Sequence, residues 1–405
     1  MIPANPARSR PTHTPGRFGG RVALGIPALA VVLALLGASC TDDSEWSAPS
    51  GAPDPLEVGV TVRSSSVAAS TSDELAAALL DTMQTYGVPG AAVAVRDPEA
   101  GDWTATAGVA DIETGEPVAE DLQWPIRSIT KSFTVTLLLQ LADEGRVDLD
   151  DTIDTWVPEV PDGDSITLRQ LATMTAGVPE YTNDAFVDAF SEDPTATFSS
   201  EQLLDFALEG DPVSGPGEAG IYVNTSTVLL GQVVEELTGL PFDEAVAERV
   251  LGPLGLDDTL YPTSPEGWTT SHASGYQPDE EGLVTPPTNF TVFDTAGAMV
   301  STLDDLLVWG RALGGGDLLE QQTQRQRLVG APLEEGPEYD TYASGIGQLD
   351  GWWGHTGEGF GFTALVMHHR GTGATVVIAM NLSDVGDHPP TKLFREVAGI
   401  LSEPS

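Results

Sequence analysis

The stretch Ile126-Arg127-Ser128-Ile129-Thr130-Lys131-Ser132-Phe133 opens an apolar run, 133–142, that ends shortly before Gly145. The run leaves almost no polar face, which predicts a buried helix rather than an amphipathic surface helix. Glycine is the usual residue just past a helix end, so Gly145 is expected to close it. We therefore expect the fold to be organised around this helix.

Ser128 and Lys131 are three residues apart, so a helix places their side chains on one face and within contact distance. A serine hydroxyl is a poor nucleophile at neutral pH unless a base takes its proton. A lysine amine, whose ordinary pKa is ~10.4, becomes such a base when burial disfavours its charged form. The start of a helix also favours negative charge on the serine oxygen. The pair therefore predicts a nucleophile and its base.

The scarcity of lysine strengthens this interpretation. Lys131 and Lys392 are the only lysines in a chain of 405 residues that otherwise uses arginine. Lysine can lose its proton in a buried site, whereas arginine effectively cannot. The alternative is an ordinary capped helix with Lys131 exposed on its surface. Burial of the amine would distinguish the two.

The composition is that of a globular protein, and its charge excludes two classes of partner. Hydrophobic residues make up 40% of the chain, and 61 Asp and Glu residues oppose 17 Lys and Arg residues. Such a surface repels nucleic acid and anionic lipid. The acidic residues are spread along the chain, which indicates a solvated surface suited to salt or to solubility. The histidines lack the spacing of metal ligands, and we expect no metal and no cofactor.

The N-terminus has the features of an export signal. Four arginines precede an apolar stretch, 22–39, and no acidic residue occurs before Asp42. Small residues then lead to Cys40, the only cysteine, in a pattern that resembles a bacterial lipobox. We expect 1–40 to be a lipoprotein signal with Cys40 lipidated, and the protein to be anchored to the outer face of the cell membrane or secreted. The alternative is an uncleaved anchor, for which this length just suffices.

A linker and then a globular domain follow the signal. Residues 41–72 are rich in Ser, Pro, Asp and Ala and show little apolar periodicity, which predicts a flexible linker. The capping-box pattern of Thr71-Ser72-Asp73-Glu74 predicts a first helix over 75–86. The globular domain is expected to span 73–400.

Strands are predicted near both ends of this domain, and helices between them. Two predicted strands lie within 90–107 and two within 361–382, each pair joined by a turn-rich segment. We expect an α+β fold in which one antiparallel sheet is built from 73–125 and 341–400 and is flanked by helices. The intervening 126–340 is expected to form a mostly helical insert.

A second cluster of chemistry-bearing residues is Tyr222-Val223-Asn224, which follows a glycine-rich segment. Residues two apart on an extended segment point the same way, so a phenol and an amide are expected to face one pocket. The alternative is a tyrosine packed at the start of a helix, with Asn224 as its cap.

A third cluster, 352–361, contains His355-Thr356-Gly357 and marks the start of a C-terminal strand. Glycines on an edge strand allow another backbone or a ligand to approach closely. His355 adds a group that can carry charge near neutral pH. The alternative is a glycine-rich bulge with His355 on the surface.

In order along the chain, these clusters resemble the motifs of the penicillin-recognising serine hydrolases: penicillin-binding D,D-carboxypeptidases, class C β-lactamases, and related esterases and D-aminopeptidases. That family carries Ser-x-x-Lys, Tyr-x-Asn and a Lys/His-Thr-Gly strand. This chain has Ser128-Ile129-Thr130-Lys131, Tyr222-Val223-Asn224 and His355-Thr356-Gly357. The resemblance covers roughly residues 73–400 and implies the β-lactamase/transpeptidase-like fold.

The resemblance also implies roles for the matched residues. Ser128 would form an acyl-enzyme, with Lys131 and Tyr222 sharing the proton transfers. The backbone N–H groups of Ser128 and Glu358 would form the oxyanion hole. Asn224 would orient Lys131 and a substrate amide. The remaining substrate-binding residues would meet the substrate carboxylate or leaving group: His355, Thr356 and Gly357.

The implied activity is that of a D-alanyl-D-alanine carboxypeptidase-like peptidase, with an esterase or a β-lactamase on the same fold as alternatives. His355 in place of lysine favours carboxypeptidases and esterases over a dedicated β-lactamase. The expected substrate is a small peptide, ester or β-lactam, and the expected state is a monomer. A non-catalytic cell-surface binding protein is the alternative of another class, which loss of Ser128, Lys131 or Tyr222 would have favoured.

Overall fold

An antiparallel sheet forms the centre of the fold. The computed structural model describes residues 59–264, 267–280 and 282–402. Its strands are β1 Val60–Ser65, β2 Gly90–Asp97, β3 Gly101–Asp111, β4 Glu116–Pro117, β5 Trp124–Pro125, β6 Gln277–Pro278, β7 Leu283–Val284, β8 Val300–Ser301, β9 Thr341–Ala343, β10 Ile346–Leu349, β11 Trp352–Gly359, β12 Phe362–His368 and β13 Thr375–Met380. Among the described residues the main sheet runs β1-β3-β2-β13-β12-β11-β10-β9, with β4 beside β3. Strands from both ends of the domain are thus neighbours, which confirms the predicted α+β fold.

Helices occupy both sides of this sheet. They are α1 Ala69–Tyr86, α2 Thr130–Asp143, α3 Leu168–Ala172, α4 Asp184–Glu192, α5 Ser200–Leu208, α6 Thr225–Thr238, α7 Phe242–Val246, α8 Gly252–Leu254, α9 Asp294–Gly297, α10 Leu303–Gly315, α11 Gln321–Arg327 and α12 Pro389–Ser402, with a π-helical segment, Ala247–Leu251, between α7 and α8. Of the helices described, none is both long enough and apolar enough to span a membrane.

The sheet is buried on both faces because alternate residues of its strands join two separate hydrophobic clusters. Along β12, Val366 belongs to the cluster on the side of α2 and α10, whereas its neighbour Leu365 belongs to the other. This alternation is the period of two expected for a strand. Leu79 of α1 and Phe394 of α12 contribute to the second cluster, and Trp309 of α10 contributes to the first. The α2 helix therefore lies in the larger core, on the side of the sheet that α10 covers.

Helix α10 departs from the predicted division of the chain. It lies within 126–340, the expected helical insert, yet it packs directly on the sheet. A β-carbon added to Gly310 would overlap the side chain of Val366 on β12, so the helix approaches the strand as closely as a glycine permits. The insert therefore supplies one layer of the sheet domain as well as the helices around α2.

The predicted linker, 41–72, is wrong over its described part. Val60–Ser65 forms edge strand β1, paired with residues 102–107 of β3, and α1 begins at Ala69 without a side-chain cap. Backbone pairing with β3 determines this segment despite its polar composition, because an extended chain needs only backbone groups to add to a sheet edge. The expectations for 1–40, including Cys40, and for 41–58 lie outside the described residues.

Candidate active site

The predicted nucleophile lies where a 3₁₀ turn, Arg127–Ile129, runs directly into α2. Apolar residues on every side of α2 are buried, so this junction is held inside the larger core. Ser128 is half-buried and Lys131 is fully buried. Nζ of Lys131 lies 3.0 Å from Oγ of Ser128. The two residues are in hydrogen-bond contact, and the alternative of an exposed Lys131 is wrong.

Two further acceptors orient the Lys131 amine. Nζ donates to Oδ1 of Asn224 at 2.7 Å and to the carbonyl oxygen of Ala296 at 2.8 Å. A neutral amine has two N–H groups and one lone pair. With both N–H groups engaged by these acceptors, the lone pair is left for the Ser128 hydroxyl. The arrangement is therefore that of a base held against the proton of a nucleophile.

Burial makes the neutral form of this amine accessible. It lowers the pKa of Lys131 to about 7, and the carboxylate of Glu180 partly opposes that shift. The ring of Tyr222 lies 4.9 Å from Nζ, an arrangement that favours the charged amine. Desolvation nevertheless prevails, because a buried ammonium loses its hydration. Near pH 7 the amine is shared between its two forms, and a large fraction can accept a proton.

Asn224 occupies the N-cap position of α6, but its side chain faces the site and not the helix backbone. Helix α6 begins at Thr225, and the Asn224 side chain makes no cap hydrogen bond to it. The carboxylate of Glu180 instead accepts from the backbone N–H of Asn224 at 2.6 Å. The Asn224 amide oxygen is thereby free to bind Lys131, and the alternative of Asn224 as a side-chain cap is wrong.

The hydroxyl of Tyr222 is buried and has no hydrogen-bond partner among the described residues. Desolvation raises the pKa of Tyr222 well above its ordinary value, and nearby Ser128 only partly opposes the shift. The two hydroxyls lie close together without reaching hydrogen-bond geometry. An unpaired buried hydroxyl is unfavourable by about 1–3 kcal/mol. The phenol therefore stays protonated and can donate to a bound substrate.

Beyond Gly354, the edge of strand β11 that points away from β12 has no strand partner among the described residues and faces the Ser128 turn. On this edge the N–H of Thr356 donates to the hydroxyl of Tyr339 at 2.8 Å. Backbone groups two residues apart on a strand point to the same edge, so the N–H of Glu358 points there too. A β-carbon on Gly357 would overlap the carbonyl oxygen of Ile126, so only glycine permits this approach. The assignment of the Ser128 and Glu358 N–H groups as oxyanion donors stays a prediction, which this close approach permits.

His355 does not have the position that the sequence predicted for it. Its side chain is fully buried, and its ring nitrogens contact the hydroxyl of Tyr342 at 3.1 Å and the carbonyl oxygen of Thr356 at 2.6 Å. Burial lowers the pKa of His355 to about 3, so the imidazole is neutral at physiological pH. Because Nδ1 must donate to that carbonyl, Nε2 accepts from Tyr342. The expected contact of a charged His355 with a substrate carboxylate is therefore wrong.

The Thr356 hydroxyl also has a protein partner, the hydroxyl of Tyr339, at 2.7 Å. Tyr339 and Tyr342 thus bind the side chains of Thr356 and His355 on β11. No motif in the sequence predicts this role, nor the contacts that Glu180 and the carbonyl of Ala296 make in the site. A backbone carbonyl carries no sequence signal, and the contacts of a single glutamate or tyrosine depend on distant elements meeting in space.

Comparison with known proteins places the chain among relatives with this architecture. The sequence model of the beta-lactamase family matches residues 75–398. The structure is similar to a D-stereospecific amidohydrolase from Streptomyces sp., with 32% sequence identity, a TM-score of 0.69 and coverage of 81% of this chain and 97% of that one. It is also similar to an octameric penicillin-binding protein homologue from Pyrococcus abyssi, with 25% sequence identity and a TM-score of 0.71. The match covers 82% of this chain and 77% of that one.

Among curated proteins, the sequence is similar to a beta-lactamase from Escherichia coli (strain K12). The two are 30% identical over 225 residues, which is 55% of this chain and 55% of that protein. This chain spans about half the length of the curated relatives it matches.

Proposed function

The chain belongs to the beta-lactamase family of serine hydrolases, and we propose that it forms an acyl-enzyme on Ser128. One observation carries the proposal. Nζ of Lys131, buried and partly neutral, lies 3.0 Å from Oγ of Ser128 while its two N–H groups have other acceptors. A lysine confined in this way has one use for its lone pair, which is to take the serine proton.

In the proposed acylation step, Oγ of Ser128 attacks the substrate carbonyl carbon, and its proton passes to Nζ of Lys131. The carbonyl oxygen becomes an oxyanion that accepts from the N–H groups of Ser128 and Glu358. When the tetrahedral intermediate collapses, the bond to the leaving group breaks. The leaving group takes a proton from the hydroxyl of Tyr222, and the phenol recovers it from the Lys131 ammonium. The products are the ester on Ser128 and the free leaving group.

Deacylation follows the same steps as acylation, with water as the nucleophile. Lys131 is neutral again and can accept a proton from the water, directly or through Tyr222. The oxyanion uses the same two donors, and Ser128 leaves with a proton returned by the amine. The enzyme is restored without a metal or an organic cofactor taking part in any step.

For the substrate, we propose an amide of a small D-amino acid rather than a peptide with a free C-terminal carboxylate. The residues expected to meet a carboxylate carry no charge: His355 is neutral and enclosed, and the Thr356 hydroxyl is bound to Tyr339. Glu180 lies near Lys131, but its carboxyl oxygens accept from the backbone N–H groups of Tyr181 and Asn224. A substrate without a free carboxylate therefore suits His355 and Thr356 better than one that carries it. The D-stereospecific amidohydrolase from Streptomyces sp. supports the same substrate class.

The D-alanyl-D-alanine carboxypeptidase expected from the sequence is less well supported, because such a substrate brings a carboxylate to a site without a matching cation. An esterase would use the same chemistry. A non-catalytic binding protein has no need for Lys131 to be buried beside Ser128, an arrangement that is unfavourable for the charged amine.

Export and anchoring through Cys40 remain proposals, supported by the arginines and the apolar stretch at the N-terminus. A Cys40→Ser variant that leaves the membrane fraction would support lipidation, and one that stays there would contradict it.

A monomer remains the expected state. The octameric homologue from Pyrococcus abyssi makes size-exclusion chromatography with light scattering a necessary check.

A substrate panel tests the proposed function. Purified protein lacking the N-terminal segment is assayed with p-nitrophenyl acetate, D-alanine amide, a D-Ala-D-Ala peptide and nitrocefin, with Ser128→Ala as the control. We expect hydrolysis of the ester and the amide, and turnover of the peptide slower by about tenfold or more. Fastest cleavage of the peptide would restore the carboxypeptidase prediction. Absence of all turnover by the unaltered protein would contradict the hydrolase.

A further inference from the structure

Arg127, which directly precedes the candidate nucleophile, is not used by the mechanism above. Its side chain is 1% exposed, and its backbone lies in the left-handed region with φ of 50°. A residue other than glycine persists in that conformation only where the surrounding structure fixes it. Something therefore holds the residue before Ser128 in place.

The Arg127 guanidinium binds the far end of strand β11. Nε donates to the carbonyl oxygen of Gly359 at 2.9 Å, and Nη2 makes a longer contact, 3.5 Å, with the carbonyl oxygen of Phe360. Phe360 also has a left-handed backbone, with φ of 44°. The arginine thus joins two conformationally restricted points, one just before Ser128 and one just after Glu358.

Aromatic rings enclose this guanidinium. Its central carbon lies within 6.0 Å of the centroids of four rings: Phe290, Phe293, Phe360 and Phe362, with Phe293 nearest at 4.4 Å. Within the described part of the chain, Arg127 has no carboxylate at ion-pair distance, and its Nη1 atom has no hydrogen-bond partner. The four rings exclude water, so solvent does not compete for the hydrogen bonds to the two carbonyl groups, and the low local dielectric strengthens them.

The residues that Arg127 connects carry the two proposed oxyanion donors. The N–H of Ser128 follows Arg127 in the chain, and the N–H of Glu358 precedes Gly359 on β11. An oxyanion hole stabilises the transition state only if its donors are fixed at the correct separation before the charge develops. A link between these two backbone segments has that effect.

We propose that Arg127 is a positioning residue that sets the separation of the Ser128 and Glu358 N–H groups through its bond to Gly359. The inference rests on the proposed acyl-enzyme function and deepens it. Arg127 does not touch the substrate. It acts on the transition state through two backbone donors, so its loss lowers kcat while leaving KM nearly unchanged.

Arg327 provides a matched control. It is also 1% exposed, and it also binds backbone carbonyls, those of Ser132 and Ser344. The hydrogen bonds described for Arg327 go to α2, at Ser132 and Thr136, and to Ser344, not to the segments that carry the oxyanion donors. Removing either guanidinium empties a buried site of the same size, so a purely structural role for Arg127 predicts that both variants behave alike.

The experiment compares Arg127→Met, Arg127→Lys and Arg327→Met in p-nitrophenyl acetate hydrolysis and in the affinity for phenylboronic acid, which forms a tetrahedral adduct on the serine. Circular dichroism and thermal melting establish that each variant is folded at the assay temperature. We expect Arg127→Met to lower kcat about 10²-fold, with a parallel loss of boronate affinity, because displaced oxyanion donors have effects of that size. Arg127→Lys keeps the positive charge but not the planar guanidinium, and we expect its kcat and its boronate affinity to fall about tenfold.

Several outcomes would overturn the inference. The first is a folded Arg127→Met or Arg127→Lys variant whose kcat and boronate affinity stay within twofold of the unaltered protein. The second is an Arg327→Met variant that loses as much kcat and boronate affinity as Arg127→Met. If Arg127→Met does not fold, the kcat and boronate affinity of Arg127→Lys alone decide whether Arg127 positions the oxyanion donors. Failure of the unaltered protein to hydrolyse the ester would instead contradict the proposed function, so the two failures are distinguishable.

Discussion

Lys131 and Ser128 are joined by a hydrogen bond of 3.0 Å between Nζ and Oγ, at the point where a 3₁₀ turn enters the buried helix α2. Residues 130–139 of the helix are all buried, the polar ones included, so the amine lies away from solvent. Asn224 and Ala296 take up its two remaining hydrogen-bonding directions. The fold thus holds a lysine where its charged form is unfavourable and its neutral form is useful.

Replacement of the nucleophile separates activity from stability. Ser128→Ala removes one half-buried hydroxyl, so the melting temperature is expected to change little, while ester turnover falls by about 10³-fold or more. The assay is hydrolysis of p-nitrophenyl acetate together with mass spectrometry of the intact protein after brief exposure to the ester. An adduct on the unaltered protein and none on the variant is the expected pair of spectra. Equal turnover by both proteins would refute the assignment of the nucleophile.

The identity of the base is tested by Lys131→Arg. Arginine keeps a positive charge but cannot release its proton, so acylation is expected to slow by about 10³-fold. Lys392→Arg is the matched control, because Lys392 forms an ion pair with Asp387 at 3.0 Å on the surface. Stopped-flow measurement of the acylation burst distinguishes this step from deacylation. A normal burst in Lys131→Arg would show that the amine does not act as a base.

The pH dependence of kcat/KM follows from the lowered pKa of Lys131. The rate is expected to rise with pH through about 7, because the amine becomes a base only after losing its proton. Glu358 also titrates in this range, since burial beside Asp384 raises its pKa to about 7. The profile of Glu358→Gln separates the two groups. If that variant loses the acid limb near pH 7, the limb belongs to the glutamate and not to Lys131.

Tyr222→Phe is expected to uncouple activity from stability. The Tyr222 hydroxyl has no partner among the described residues, so its removal is expected to leave stability unchanged or raise it by about 1 kcal/mol. Turnover falls by about 10²-fold if the phenol serves as the acid. Tyr339→Phe is the contrast, because the Tyr339 hydroxyl accepts from the N–H of Thr356 and its loss is expected to destabilise. Urea unfolding of both variants measures the difference. Destabilisation of Tyr222→Phe as large as that of Tyr339→Phe would contradict this prediction.

Gly357→Ala tests the close approach of β11 to the Ser128 turn. A β-carbon there would overlap the carbonyl oxygen of Ile126, so we expect a loss of about 1–3 kcal/mol in stability and a displaced oxyanion donor. Gly399→Ala on α12 is the control, since nothing lies within 4 Å of its added carbon and alanine favours a helix. Thermal melts and ester turnover of both variants provide the comparison. A fully active and stable Gly357→Ala variant would be inconsistent with the described geometry.

The sequence predicted those parts of the fold and site that depend on local patterns. The apolar run after Phe133 marked a buried helix, and the spacing of Ser128 and Lys131 placed both on one face of it. Properties that depend on distant contacts were not predictable. His355 is a residue type that can carry charge, yet Tyr342 of β9 and Tyr339 of the preceding loop enclose it, and burial keeps it neutral. The polar composition of the segment before Ala69 predicts a linker, yet part of it forms edge strand β1, because pairing at a sheet edge uses backbone groups that side-chain composition does not reveal.

The proposed mechanism requires folding to lower the pKa of Lys131, and a direct measurement is practical because Lys131 and Lys392 are the only lysines in the chain. Protein labelled with ¹³C at lysine Cε should give two such signals, which a Lys131→Met variant assigns. We predict that the Lys131 signal titrates with a midpoint near pH 7, with the Lys392 signal as the internal reference. A Lys131 signal that titrates near the ordinary lysine value of ~10.4 would contradict the account.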